Sequence, residues 1–127
     1  MKFSLVLVVA AVLRVPHALA EDISGFWKHV DEPGWIEINL EEGRGSVVRN
    51  DRFPDRVGRE ILKDLEADGS EQGLWTGEIY VERLGEYKDM EITLAEPGHM
   101  SIKVKVGFMS RSVEWRRVEA VTAKPAG

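Results

Sequence analysis

Between Leu74 and Val106 the chain runs through three successive stretches in which apolar and polar residues alternate, and no other feature restricts the fold as strongly. The stretches are LWTGEIYVE, YKDMEITL and MSIKVKV, separated by RLGE and AEPGH. In the second, Met90, Ile92 and Leu94 alternate with Asp89, Glu91 and Thr93; in the third, Met100, Ile102, Val104 and Val106 alternate with Ser101, Lys103 and Lys105. Successive side chains of a strand point to opposite faces, so each stretch has one apolar and one polar face. Trp75, Ile79 and Val81 form the apolar set of the first, with Gly77 among them.

Those faces constrain register, because a slip of one residue would turn every apolar side chain outward. A two-residue Leu84-Gly85 loop places Val81 opposite Lys88, Ile79 opposite Met90 and Gly77 opposite Ile92. A two-residue loop between the second and third strands would pair an inward residue with an outward one. A three-residue Glu96-Pro97-Gly98 loop is therefore expected, with Glu91 opposite Lys103 and Asp89 opposite Lys105. Each such charge pair contributes roughly 0.2–1 kcal/mol.

The rest of the chain reads the same way. Gly25–Val30 is a first strand, and Glu32-Pro33-Gly34 has the residues of a type II turn. Trp35–Leu40 alternates, with Ile36, Ile38 and Leu40 inward; Glu41–Gly45 is a turn, and Ser46–Arg49 is a short strand. Asn50–Gly58 is the longest irregular stretch. In Arg59–Glu66 the residues Ile61, Leu62 and Leu65 fit one helical face, and a short strand fits so brief a run nearly as well. Ala67–Gly73 is a polar loop, and Ser112–Val118 is a last strand with Val113, Trp115 and Arg117 on one face. Many short strands with turn signals at close spacing predict an all-β protein, here a small antiparallel up-and-down barrel with at most one short helical turn.

Residues 1–20 have the form of a secretory signal peptide: basic Lys2, the apolar run Phe3–Leu13 and the small-x-small Ala18-Leu19-Ala20 before Glu21. The apolar run is shorter than the roughly 20 residues that span a bilayer, so no membrane span is expected. The expected organisation is a signal peptide over 1–20, one barrel domain over 21–118 and a flexible tail over 119–127. Loss of Lys2 and Arg14 takes the formal charge from −5 to −7. An acidic exported domain is a poor partner for nucleic acid, which needs clustered Lys and Arg. The absence of cysteine excludes disulfides and thiolate metal sites. The signal peptide implies export, to a periplasmic or secreted location, and for an exported protein the lack of cysteine favours the periplasm of a Gram-negative bacterium.

Several motifs add up across the chain: Gly25-x-Trp27, Phe53-Pro54-Asp55 followed by Arg59, Trp75-x-Gly77-x-Ile79-Tyr80, Gly85-x-Tyr87 and Trp115-x-Arg117-Val118. Together they resemble the bacterial domain of unknown function 2147 family, small exported proteins with a lipocalin-like barrel. The resemblance covers Gly25 to Val118. The chain departs from the family pattern at Phe53, where Asn is usual, and at Val81-Glu82, where Asp-Pro is usual; its loop before the last strand is also short. The resemblance implies a fold and no established activity. The Gly-x-Trp start and Trp-x-Arg finish are also similar to the lipocalin pattern. This implies that Gly25, Trp27, Trp115 and Arg117 close the barrel, with Arg117 stacked on Trp27 in a contact worth about 0.5–2 kcal/mol.

No chemistry-bearing constellation emerges. His29 and His99 have no partner at metal-ligand spacing, and His99 reads as a solvated loop residue. The serines lack an adjacent base and a nucleophile elbow. Glu78 and Glu91 fall opposite one another in the expected register, but on an exposed face beside Lys103. Neither an enzyme nor a cofactor is expected.

Two functional readings lead, and a third, a hydrolase, would require convergent buried acids that the pattern does not predict. A small apolar or amphipathic ligand could occupy the barrel against Trp75, Ile79, Tyr80, Tyr87, Met90 and Met100, with Gly77 and the two methionines leaving it room. An open cavity of a few hundred cubic ångströms would mark that case. Alternatively, Phe53, Pro54, Asp55 and Arg59 present a protruding loop to an envelope protein. An exposed Phe53 on a filled barrel would mark the second.

Overall fold

Eight antiparallel strands close into a barrel in strict sequence order, β1 to β8, in a computed structural model that describes residues 22–122. The signal-peptide reading of 1–20 and the end of the expected tail lie outside the described residues. The strands are β1 (Gly25–His29), β2 (Gly34–Asn39), β3 (Arg44–Asn50), β4 (Glu60–Ala67), β5 (Leu74–Val81), β6 (Glu86–Glu96), β7 (His99–Val106) and β8 (Met109–Val118). A single 3₁₀ turn, Pro54–Arg56, interrupts the long loop between β3 and β4. Pairing of β1 with β8 removes both sheet edges. No described helix is long and apolar enough to cross a membrane.

The meander keeps its expected faces but shifts its register. Tyr80 lies opposite Tyr87, Gly77 opposite Met90 and Trp75 opposite Ile92, two residues from the expected pairing. The connection is thus the four-residue loop 82–85. A shift of two preserves which side chains face in, so the apolar pattern cannot distinguish the two registers. The Glu78–Glu91 juxtaposition disappears: Glu78 faces Asp89, and Glu91 faces Thr76.

Glu91 pairs with Lys103, as the alternation requires, yet the β6–β7 turn is the two-residue Pro97-Gly98. A bulge between Thr93 and Glu96 absorbs the extra residue and restores the parity that a two-residue turn would otherwise break. Lys105 reaches Glu91 at 3.4 Å, outside the aligned ladder.

A second bulge resolves the ambiguous segment. Lys63 pairs with Glu78 and Glu66 with Thr76, so Asp64 and Leu65 together oppose Gly77. Asp64 takes up the extra residue at φ 54°. Inward Leu62 and Leu65 are therefore three residues apart on a strand, a spacing that imitates a helix.

Two further turns differ from expectation. Gly34 has no positive φ and opens β2; its N–H donates to the Glu32 carbonyl at 2.8 Å, a tight three-residue turn about Pro33. β3 begins earlier, at Arg44, and β8 at Met109, leaving only Gly107-Phe108 between the last two strands.

The interior is filled. Ile23, Trp27, Ile36, Ile38, Val47, Leu62, Leu65, Trp75, Met90, Ile92, Met100, Ile102 and Trp115 form one buried cluster, and no polar side chain joins them. Gly77 does not open a cavity. A Cβ there would lie 2.8 Å from the Lys63 carbonyl oxygen, 2.9 Å from Leu65 Cδ2 and 3.0 Å from Met90 Cε.

At the end where β1 begins, Ile23 seals the barrel, and Trp27 Nε1 donates to its carbonyl at 2.9 Å. Arg117 lies 4.4 Å over the Trp27 ring and donates to the Ser24 carbonyl at 2.6 Å. Gly25 sits under that guanidinium, where a Cβ would be 2.8 Å from Nη1. Beyond β8 the chain reaches Thr122, whose carbonyl accepts from Arg49 at 3.0 Å.

Candidate functional site: the cleft at the open end

The opposite end is built from loops 30–33, 51–59, 82–85 and 107–108, and it is not sealed. Between the first three lies a cleft of about 330 Å³. Its floor is apolar, formed by Ile36, Val47, Ile61 and Trp115, while Glu32, Arg52, Phe53, Arg56, Tyr80 and Glu82 stand around it.

Trp115 and His29 occupy the β1–β8 side of this floor. They are cross-strand neighbours, one inward pair further along than Trp27 and Arg117. Their rings meet edge to face at 5.0 Å. Trp115 is buried, and its Nε1 is the one buried side-chain nitrogen or oxygen without a hydrogen-bond partner among the described residues. An unmade hydrogen bond of this kind carries a desolvation cost of about 1–3 kcal/mol.

His29 is held in one tautomer. The backbone N–H groups of Asp31 and Glu32 both donate to Nδ1, at 3.0 and 2.9 Å, leaving the proton on Nε2. Burial lowers its pKa, against the opposing pull of Glu32 and Asp31. The same two hydrogen bonds shape the 30–33 loop.

The other wall is tied together by Asn50. Its Oδ1 accepts from the N–H groups of Arg52 and Phe53 at 3.1 and 2.7 Å, which turns Phe53 to the rim. Phe53 is 40% exposed and carries the Arg56 guanidinium 3.8 Å above its ring. Glu82 is shared between Arg59, which hydrogen-bonds it, and Arg56 at 3.6 Å, while Arg52 pairs with Glu32 at 2.9 Å. Glu82 thus answers two guanidinium groups, and Arg56 keeps donor capacity toward the cleft.

The residues singled out from sequence separate into groups. Trp75, Met90 and Met100 are buried in the core, and Ile79 packs against it. Tyr80 borders the cleft; Tyr87 does not, since its hydroxyl donates to the Glu60 carbonyl at 2.7 Å. Phe53 is a cleft residue, Pro54 and Asp55 form the 3₁₀ turn behind it, and Arg59 braces Glu82. Trp115 lies in the cleft floor, whereas the stacked pair at the closed end is Trp27 and Arg117. That His29, Arg52, Arg56 and Glu82 share one space left no signal in the sequence, because they come from the end of β1 and from two loops distant from it.

His99 is not a solvated loop residue. It opens β7, and its Nε2 lies 2.9 Å from Glu114 Oε1, while Ser101 Oγ donates to Oε2 at 2.7 Å. The carboxylate stands between serine and imidazole, so the histidine is not placed as a base for that hydroxyl. No group of three or more potential metal ligands occurs among the described residues. Comparison with family models, curated proteins and solved structures gives no match.

Proposed function

We propose that this protein is an exported lipocalin-like binding protein of the domain of unknown function 2147 type, which holds a small amphipathic molecule at the mouth of its barrel. The observation that carries this reading is the open cleft of about 330 Å³ over Trp115, an apolar floor beneath a rim of arginines and carboxylates. Ligand pockets begin at roughly 300 Å³, so the occupant is compact: an aromatic ring or short chain with an oxygen-bearing head group. Its apolar part covers Trp115, Val47 and Ile61, and its head group meets Arg56. An acceptor atom that reached Trp115 Nε1 would supply the hydrogen bond this donor lacks. The ligand does not enter the barrel, because Trp75, Met90 and Met100 fill it.

Native mass spectrometry of the protein purified from its own cell envelope, followed by calorimetric titration with short aromatic and aliphatic acids, tests this. The expected result is one bound small molecule, with affinity reduced roughly tenfold by Phe53→Ala or Arg56→Gln. A protein that takes up none of these compounds contradicts it.

A second reading has its own support. Phe53 is exposed on a filled barrel, the combination expected of a loop that docks an envelope protein. Crosslinking from position 53 in whole cells separates the two: one dominant protein adduct favours docking.

A further inference from the structure

Every large apolar side chain exposed among the described residues lies at one end of the barrel. They are Val30, Phe53, Val57, Leu84, Phe108 and Met109. All four mouth loops or their flanks contribute, and the loops at the closed end (40–43, 68–73 and 97–98) contribute none. The extreme case is the β7–β8 tip. Gly107 at φ 63° makes the two-residue turn, and Phe108 projects from it with its whole surface exposed, followed by Met109 at 65%. Neither residue borders the cleft. A fully exposed phenylalanine at a hairpin tip packs against nothing in the fold, and what singles it out is that every other exposed large apolar side chain among the described residues shares its end of the barrel.

The charges divide along the same axis. The closed-end loops hold Glu41, Glu42, Asp68 and Glu71 and no lysine or arginine. In the mouth loops Arg52, Arg56, Arg59 and Arg83 are interleaved with Asp31, Glu32, Asp51, Asp55 and Glu82. Arg83 adjoins Leu84, Arg52 adjoins Phe53, and Arg56 adjoins Val57. Such a rim, nearly balanced in charge and studded with single apolar tips, matches a zwitterionic lipid surface. The tips enter the acyl boundary while the guanidinium groups stay at head-group level.

The arrangement fits a rigid protein partner less well. Loops that join alternate strand pairs stand roughly 10 Å apart around the rim, given the spacing of neighbouring strands. A rigid partner would need a relief matched to tips carried on four separate loops, whereas a fluid interface receives each of them independently.

We infer that the mouth end docks on a zwitterionic bilayer surface, led by Phe108 and Met109, with the acidic end turned to water. The cleft then opens at the lipid boundary. The inference does not depend on what the cleft holds.

The test is co-flotation of the purified protein with phosphatidylcholine–phosphatidylethanolamine vesicles. An attached Phe3–Leu13 run would itself partition into lipid, so matched amino termini are verified by mass in every sample. The expected result is flotation that falls roughly tenfold or more for the Phe108→Ser, Met109→Ser double variant, with circular dichroism unchanged. Glu71→Ser at the closed end leaves flotation at the wild-type level. Absence of flotation overturns the inference, as does flotation indifferent to the double substitution. Self-association abolished by that variant, without vesicle binding, overturns it in favour of a contact between copies of the chain.

Discussion

Adding one methyl group at Gly77 is a direct probe of whether this barrel is filled. In Gly77→Ala the new carbon would lie 2.8 Å from the Lys63 carbonyl oxygen, 2.9 Å from Leu65 Cδ2 and 3.0 Å from Met90 Cε. Met90 ends in a flexible thioether and can retreat, and Leu65 can rotate in part. The Lys63 carbonyl cannot, because it belongs to the bulged β4 strand paired with β5. Overpacking of this kind costs about 1–3 kcal/mol. Loss of glycine freedom in the unfolded chain returns about 0.4–1 kcal/mol. A net loss of about 1–2 kcal/mol remains, which for a domain near 100 residues lowers Tm by roughly 5–15 °C. Thermal and urea denaturation followed by circular dichroism would measure it. Addition of Met90→Ala to Gly77→Ala should recover little, since the carbonyl contact survives and a cavity opens. An unchanged Tm in Gly77→Ala would show that the interior has slack, and the argument that ligand is excluded from it would fail.

Other outcomes follow from the same geometry. Arg117→Met keeps the side chain's length but removes the cation over Trp27 and the donor to Ser24; a loss of about 1–3 kcal/mol in urea denaturation is expected, and an unchanged midpoint would refute the role of this pair in closure. The Glu114 carboxyl is held below its usual value of 4.5 by the Ser101 hydroxyl and then by His99. Its contribution to stability is complete above pH 4.5 and disappears as pH falls through the lower folded value, so Glu114→Gln should flatten the stability profile in that acidic window. His29, lowered from 6.5 by burial, behaves as a base that the fold keeps neutral. Stability should decline as pH drops through 6.5 toward its folded pKa, and NMR titration of the ring should give a midpoint below 6.5.

The alternation of Met90, Ile92 and Leu94, and of Met100, Ile102 and Val104, suffices to assign an antiparallel all-β fold, because inward and outward residues can be counted along a strand. Register was legible only to within two residues, since shifts of that size leave every face unchanged. The two bulges were hidden for the converse reason. At Asp64 and at 94–95 an extra residue changes the parity locally, so Leu62 and Leu65 resembled a helical stripe and the β6–β7 turn appeared to need three residues. Gly77 was readable as an inward glycine, but whether it made space or received a neighbour depended on Leu65, which only the bulge brings there. The cleft was the least legible part. His29 and Tyr80 sit near the ends of strands, Phe53 in a loop and Trp115 within β8, and the tilt and closure of the barrel alone bring them around one space. The exposed Phe108 left a trace in the sequence, an apolar pair directly after the turn glycine of a hairpin.

The account rests on the separation of a filled barrel from an open mouth, and a two-dimensional ¹H–¹⁵N NMR titration addresses that separation most directly. The perturbant is the small molecule recovered from the purified protein or, failing that, a short aromatic acid. The account predicts shifts concentrated on the Trp115 indole N–H and on the amides of His29, Arg52, Phe53 and Tyr80, with the Trp75 indole and the amides of Met90 and Met100 unmoved. Shifts centred on Trp75, Met90 and Met100 would place the ligand inside the barrel and contradict it.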